Sequence, residues 1–416
     1  MPRIEKNVVV ALGWNLLTLV IARGTSVVST LVLAWFLAPD EFASIAMISV
    51  IIQVSHFLTD AGFSEALIRK KEITQDELSS VFYTNIFLGL LLYLIIFGIA
   101  PGVAIFYEQE SLEQLIKFTG LSIFFQGLST VPKTILTKKL KFKDQLYITI
   151  PAVSISAILA VVLAYYEYGA WALAAQILCN SVLSALLYWC FTDWKLTFTY
   201  SFKAIKSLFR FSSYIILARV IHIPFQNMYL IVLPKFFSTT LVGLYFFAER
   251  IKETLINLLV QAVVTVTYPE LAKDQNNNKK LKAHYRKIVL LTTFITFPLL
   301  VIIASLCPLL FEVFFPDKWF KASDYLMLMC FASILYPLHS INVNILKVKG
   351  RSDLLFFIGL IKKLVTLSIF IFTIQYDIEV VIYGQIVSGL PPSSCPPMPP
   401  SPRTGSRRSR HRPTGA

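Results

Sequence analysis

Charge is scarce in this chain. Only 15% of its 416 residues are Asp, Glu, Lys or Arg and 56% are hydrophobic, whereas soluble domains carry roughly 25% charged residues. With a mean hydropathy of +0.67, this composition excludes a soluble multidomain protein and belongs to a chain that lives in a bilayer. Cysteine is equally uninformative. Cys179, Cys190, Cys307 and Cys330 lie in or beside apolar runs and Cys395 lies near the end, without CxxC or His/Cys spacing, so neither a disulfide framework nor a zinc site is expected. No P-loop, nucleotide-binding GxGxxG or HExxH occurs, which predicts no cofactor, no ATP hydrolysis and no enzyme. Acids are few, 24 against 38 Lys and Arg, for a formal charge of +14. In a soluble protein that excess would suggest nucleic acid. Here the basic residues sit in short connections between apolar runs, which encodes orientation in a membrane, and no nucleic-acid partner is expected.

What the chain has in quantity is apolar length. Twelve apolar runs occur, at about 10–37, 42–66, 79–106, 112–132, 146–166, 169–191, 211–233, 240–268, 287–311, 323–346, 353–375 and 378–390. About 20 apolar residues cross about 30 Å of hydrocarbon. The first run lacks a short apolar core followed by an A-x-A site and reads as a retained helix. With Arg3 and Lys6 cytoplasmic, the cytoplasmic connections hold "RKK" (69–71), "KTILTKKLKFK" (133–143), the stretch 192–210, "KDQNNNKKLKAHYRK" (273–287) and "KVKGR" (347–351). The opposite connections hold "LAPDE", "YEQES", "YYEYG", "PKFFSTT", "FPDKWFKASD" and "QYDIE", whose basic residues are Lys235, Lys318 and Lys321 alone. This asymmetry predicts a multi-pass protein with its N-terminus in the cytoplasm.

The last run is only about 13 residues long before Pro391 and Pro392, too short to cross. From 391 onward there are eight prolines, five arginines, no lysine and no acid, whereas upstream 25 lysines accompany 8 arginines. Residues 391–416 are therefore expected to be a disordered, non-native-looking tail that replaces the end of a twelfth helix. A weak internal echo sets "LVIARGTSVV" (19–28) against "IILARVIHIP" (215–224), pairing Arg23 with Arg219. The expectation is an all-α polytopic membrane protein of two six-helix bundles, residues 1–200 and 201–390, around a central cavity.

Ionisable groups inside these runs cost roughly 2.5–3.5 kcal/mol each in lipid, so they are expected to face one another. Helical spacing groups Asn15, Arg23, Ser26 and Thr30 on the first run and Gln53, His56, Asp60 and Ser64 on the second. Ser212, Arg219, His222 and Gln226 repeat the pattern on the seventh; Arg250, Glu253, Asn257, Gln261 and Thr265 form the longest stripe on the eighth, and Lys362 and Lys363 lie in the eleventh. Asn, Ser and Gln often only bond neighbouring helices. Glu249 with Lys252, or Glu253 with Arg250, can pair along one helix. Arg23 and Arg219 have no acid at helical spacing and need a partner elsewhere or an anion. The central excess is cationic, and guanidinium forks suit phosphates. Pro224, just after Arg219, is expected to kink the seventh helix.

The stretch "FLAPDEFASIAMISVIIQVSHFLTDAGFSEALIRKK" (36–71), with Pro39, Asp40, Phe42, Asp60, Gly62 and Ala66 to Lys70, resembles the polysaccharide-export flippases of the multidrug/oligosaccharidyl-lipid/polysaccharide superfamily, although Ala43 stands where that family usually has Gly. "GLYFFAERIKETLINLLVQAVVTVTYPELAK" (243–273) is similar to the family's eighth helix, and the resemblance spans about 1–390. It implies a bacterial inner-membrane protein that moves a polyprenyl-pyrophosphate-linked oligosaccharide, an O-antigen or exopolysaccharide repeat unit, between leaflets by alternating access. It further implies headgroup contact by Arg23, Arg219, Arg250, Lys252 and Lys362, and ion coupling or gating by Asp60, Glu253 and His222. The implied partners are the lipid-linked oligosaccharide, membrane lipids and glycan polymerase or export machinery. A drug exporter of the same fold, or a glycan polymerase or ligase, is the alternative; the short external connections speak against the enzyme.

Overall fold

The computed structural model describes residues 2–273, 277–349 and 352–389. The tail 391–416, and with it the expected disorder there, lies outside them. Each apolar run is one helix or a helix pair with a short break: α1 (Pro2–Phe36), α2 (Pro39–Asp60), α3 (Phe63–Arg69), α4 (Gln75–Tyr107), α5 (Ser111–Lys138), α6 (Phe142–Tyr165), α7 (Ala170–Cys190), α8 (Phe202–Gln226), α9 (Met228–Phe236), α10 (Thr239–Lys273), α11 (Asn278–Phe314), α12 (Phe320–Ser333), α13 (Tyr336–Val348), α14 (Ser352–Thr373) and α15 (Ile378–Gly389). No strand occurs among the described residues. Among the described residues, seven segments are long and apolar enough to cross a bilayer. The long helices α5, α8, α10 and α14 carry charges within their runs, which must be sheltered by neighbours. The outer surface is apolar, as at Phe294, Ile295 and Ile302 of α11 or Phe87 and Leu94 of α4. A patch of that extent belongs in lipid.

Local chemistry sets the helix starts. Pro39 occupies the first turn of α2, and the Glu41 carboxylate accepts from the Ala38 amide at 2.6 Å. Thr74 caps α4 by accepting from the Glu77 amide, Ser201 caps α8 and Asn277 caps α11. The second run breaks where Ala61 and Gly62 both adopt left-handed backbone, at φ 45° and 69°. The seventh run stays helical through Pro224, the expected site of a kink, and breaks three residues later at Asn227 before α9.

Packing follows the chain order within each part, with one exception. α1 lies on α6, α4 on α5, and α5 and α6 on α7, while α10 to α13 pack together and α15 joins α12 and α14. The seventh segment, counted from sequence with the second half, rests chiefly on α2, α3 and α4 of the first. α2 also lies along α10, making it the main contact between the parts. Close approach of α4 and α5 depends on Gly127, where a Cβ would stand 2.8 Å from the Asn85 carbonyl oxygen. Gly127→Ala is expected to cost about 1–3 kcal/mol of stability through forced separation of those helices, readable as a lower unfolding temperature in detergent.

Candidate functional site

One end of the α2–α10 contact is sealed. The Pro39 carbonyl lies directly against Gly243. Asp40 accepts from the Thr239 and Thr240 hydroxyls at 2.7 Å each. Phe42 packs edge-on against Phe247 at 5.6 Å and Trp319 at 5.1 Å. The Trp319 indole donates to the Ala34 carbonyl at 2.7 Å, capping the last turn of α1, where carbonyls lack helical partners. Tyr107 donates to the Ile231 carbonyl at 2.8 Å. This is the end with the lysine-poor connections.

At its rim, Lys235 donates to Glu108 at 2.8 Å, and that bond holds the exposed Glu108 carboxyl below its ordinary 4.5. A depressed carboxylate stabilises above its unfolded value and ceases to do so as pH falls through the folded one. The clasp is therefore intact at neutral pH and is lost only as acid protonates Glu108 below the ordinary carboxylate range. Being exposed, it contributes little, and Glu108→Gln is expected to leave the unfolding temperature in detergent at neutral pH unchanged.

Toward the lysine-rich end, polar groups from both parts meet along α2, α3 and α8. Asn227 donates to Gln53 at 2.7 Å. Arg219 stands 3.8 Å from Glu65 and 5.3 Å from the Phe57 ring centroid, with about half of its side chain left uncovered by protein. Ser212 donates to the Gly62 carbonyl at 3.0 Å, inside the break that Gly62 creates. Asp60 accepts from the Ser64 amide at 3.1 Å and hydroxyl at 2.7 Å, so it caps α3, and Ser64 reaches Thr134 at 2.8 Å. Lys133 of α5 is within electrostatic reach of Asp60 and His56. The partner that Arg219 required is thus Glu65, an acid from the first part.

On the α1 side the link is thinner. Arg250 donates to Ser26 and Thr30 at 3.1 Å each. Arg23 shares the face of Ser26 and Thr30, and its Nη1 is buried without a hydrogen-bond partner among the described residues. A buried guanidinium nitrogen left open costs about 1–3 kcal/mol or more unless an anion or water meets it. Arg250 and Lys133 both keep exposed surface, and a cation within a membrane-spanning helix is stable only against polar partners or in a space that admits water.

The remaining expected site residues are placed differently from one another. Lys252 pairs with Glu249 at 2.6 Å, largely buried within the second part and near Cys330, so it is not turned toward the α2–α8 contact. Lys362 lies near His339 of α13, whereas its neighbour Lys363 sits 5.4 Å from the Phe225 ring and within reach of His222. Adjacent residues on a helix point about 100° apart, so only one can face α8. Glu253 lies beside Arg250 and accepts from Asn257 at 3.5 Å. The Gln261 and Thr265 side chains lie outside what is described. Lys133 was missed from sequence because it read as the first residue of a cytoplasmic connection, although Thr130, Lys133 and Thr137 share helical spacing on α5. Glu65, near the end of the second run, lies off the spacing of Gln53, His56, Asp60 and Ser64.

The sequence pattern of the family described as "Polysaccharide biosynthesis protein" matches residues 32–324. The chain is 25% identical over 372 residues to the teichuronic acid biosynthesis protein TuaB of Bacillus subtilis (strain 168), covering 86% of this chain and 74% of that one. It is 24% identical over 349 residues to the lipopolysaccharide biosynthesis protein WzxC of Escherichia coli (strain K12), covering 82% and 70%. Among solved structures, the lipid II flippase MurJ in its inward closed conformation superposes with a TM-score of 0.73 at 17% identity, over 90% of this chain and 84% of that one. An inward-facing multidrug resistance MATE transporter of the MOP superfamily superposes with a TM-score of 0.65 at 14% identity, over 89% and 92%. With the all-α polytopic membrane fold of those transporters and a family match over most of its length, this chain belongs to the polysaccharide biosynthesis protein family.

Proposed function

We propose that the protein is a flippase of the bacterial inner membrane that carries a polyprenyl-pyrophosphate-linked oligosaccharide from the cytoplasmic to the outer leaflet by alternating access. The observation that carries this reading is the open Nη1 of Arg23, on the α1 face that meets Arg250, next to a contact sealed at the opposite end. A doubly charged pyrophosphate is the anion that planar guanidinium forks hold best. Arg23 and Arg250 are the headgroup ligands in this scheme. Arg219 and Glu65 form a gate that an incoming phosphate opens by competing for the guanidinium, and Asp60, His222 and Glu253 are candidates for coupling to an ion. Lys252 and Lys362 take secondary roles, since each faces other protein groups. The relatives named for teichuronic acid and lipopolysaccharide biosynthesis support a glycan cargo; contact with a glycan polymerase or export machinery is part of the same proposal.

The test is export of surface glycan by a strain whose own copy is replaced. Arg219→Ala and Arg23→Ala are expected to abolish export while membrane insertion stays normal. Glu65→Gln, which frees Arg219 without removing it, should retain more export than Arg219→Ala. Wild-type export by both arginine variants at normal abundance would sink the reading. Efflux of a cationic dye by those same variants would favour a drug exporter instead.

A further inference from the structure

The connection between α7 and α8, residues 191–201, contains no helix and alternates in character. Trp194, Leu196, Phe198 and Tyr200 are apolar or aromatic, while Lys195, Thr197, Thr199 and Ser201 are polar. The polar side is fastened to the start of α4. Thr197 and Ser79 share a hydrogen bond at 2.8 Å, the Ser201 amide donates to Ser80 at 2.8 Å, and Gln75 accepts from the Trp194 indole at 3.0 Å while donating to the Lys195 carbonyl. With that side engaged, Phe198 is 96% exposed and Phe202, the first residue of α8, 70% exposed. Two bare phenyl rings at the lysine-rich end of a membrane protein are a costly surface in water and a stable one at the headgroup layer.

The same connection forms one wall of an open cleft of about 670 Å³, lined by residues of 73–78, 135–139 and 193–197 and so apart from the contacts of α1, α2 and α10. Ile73, Leu78 and Trp194 line its apolar side, and Lys138, Lys139, Lys195 and Asp193 its charged side. Lys138 is engaged by the carbonyls of Leu67, at 3.1 Å, and Lys70. The ammonium groups of Lys139 and Lys195 carry no hydrogen bond or ion pair among the described residues. A cavity with two open cations, an indole and an aliphatic wall suits a ligand that is anionic at one end and apolar at the other.

We propose that this cavity binds the phosphate headgroup of an anionic glycerophospholipid from the leaflet at the lysine-rich end of the protein. Lys139 and Lys195 take the phosphate, Trp194, Ile73 and Leu78 pack against the glycerol and upper acyl carbons, and Phe198 and Phe202 enter the surrounding headgroup layer. Free phosphate compounds share the charge but lack the apolar part, which leaves half of the cavity unused. The site does not depend on the transport reading.

The full chain, purified in detergent, is titrated with dioleoyl phosphatidylglycerol, dioleoyl phosphatidylcholine and glycerol 3-phosphate and read by native mass spectrometry. One phosphatidylglycerol is expected to bind more tightly than phosphatidylcholine. Lys139→Glu with Lys195→Glu should weaken it about tenfold or more, with phosphatidylcholine unchanged. Lys139→Gln with Lys195→Gln should shift it in the same direction by less. Both lysines are exposed, so unfolding temperatures without added lipid should match wild type. Phosphatidylglycerol affinity within twofold of wild type in both double variants would overturn the site, and glycerol 3-phosphate binding as tightly as the lipid would overturn its assignment to lipid.

Discussion

Gly243→Ala is expected to abolish glycan export while leaving the protein inserted and abundant. At Gly243 an added Cβ would overlap the carbonyl oxygen of Pro39 and stand 2.5 Å from its carbonyl carbon and 3.0 Å from its Cα. All three are backbone atoms of the first turn of α2, so no rotamer change relieves the overlap. α2 and α10 must move apart by roughly 1 Å or more to restore ordinary contact. That movement pulls Asp40 away from Thr239 and Thr240 and opens the stack of Phe42 on Phe247. Overpacking of a tight contact costs typically about 1–3 kcal/mol, here set against the sealed state alone, which shifts the equilibrium away from it by about fivefold to 150-fold. In the alternating-access scheme proposed above, a carrier that cannot close one end cannot cycle. Surface glycan reports export. A Ser44→Cys reporter, buried on α2 in this state, should become reactive to a membrane-impermeant maleimide in the Gly243→Ala background. Wild-type export with an unreactive Ser44→Cys would refute the seal.

Trp319→Ala should be nearly as damaging, through stability as well as closure. Trp319 is completely buried, lies 4.3 Å from the Phe247 ring centroid and 5.1 Å from that of Phe42, and caps the end of α1 through Ala34. Removing a buried Trp or Phe costs about 3–5 kcal/mol, and the lost hydrogen bond adds about 1 kcal/mol. Against a typical net stability of about 5–15 kcal/mol, that is a large fraction. Trp319→Phe keeps most of the ring and loses only the indole donor, so it should fall by about 1–2 kcal/mol and retain most export. Thermal unfolding in detergent separates the two. Equal stability of Trp319→Ala and wild type would mean that the stack around Phe247 does not hold the parts together.

Much of the fold was legible because membrane insertion reads local properties. Every apolar run is a helix or a broken pair of helices, since length and hydropathy over about 20 residues decide whether a segment crosses. The breaks were less legible. Ala61 and Gly62 interrupt the second run because the left-handed turn lets Asp60 cap α3 and presents the Gly62 carbonyl to Ser212. At the seventh run the proline drew attention, but the helix ends at Asn227, whose side chain donates to Gln53 of α2. A proline removes one hydrogen bond, and the helix continues past it to a break at Asn227 that also carries a contact to α2.

The candidate site was legible in composition and not in pairing. The spacing of Arg23, Ser26 and Thr30 does describe one face, and Arg250 meets it. Nothing local to Arg219 pointed to Glu65, which lies on a short helix past a break. The pairing of Lys252 with Glu249 was readable from their spacing, whereas nothing in the sequence placed Lys362 beside His339 of α13.

Sequence alone determined that this chain is a helical membrane protein, and it identified which runs carry charge and which end carries the lysines. Those are sums over neighbouring residues, and transfer to lipid is additive over short stretches. Only the tertiary structure decided which charge meets which, and where the protein is shut. Those outcomes rest on contacts between residues 174 positions apart at Asn227 and Gln53 and 285 apart at Trp319 and Ala34, where the energy belongs to the pair and neither partner's surroundings in the chain encode it.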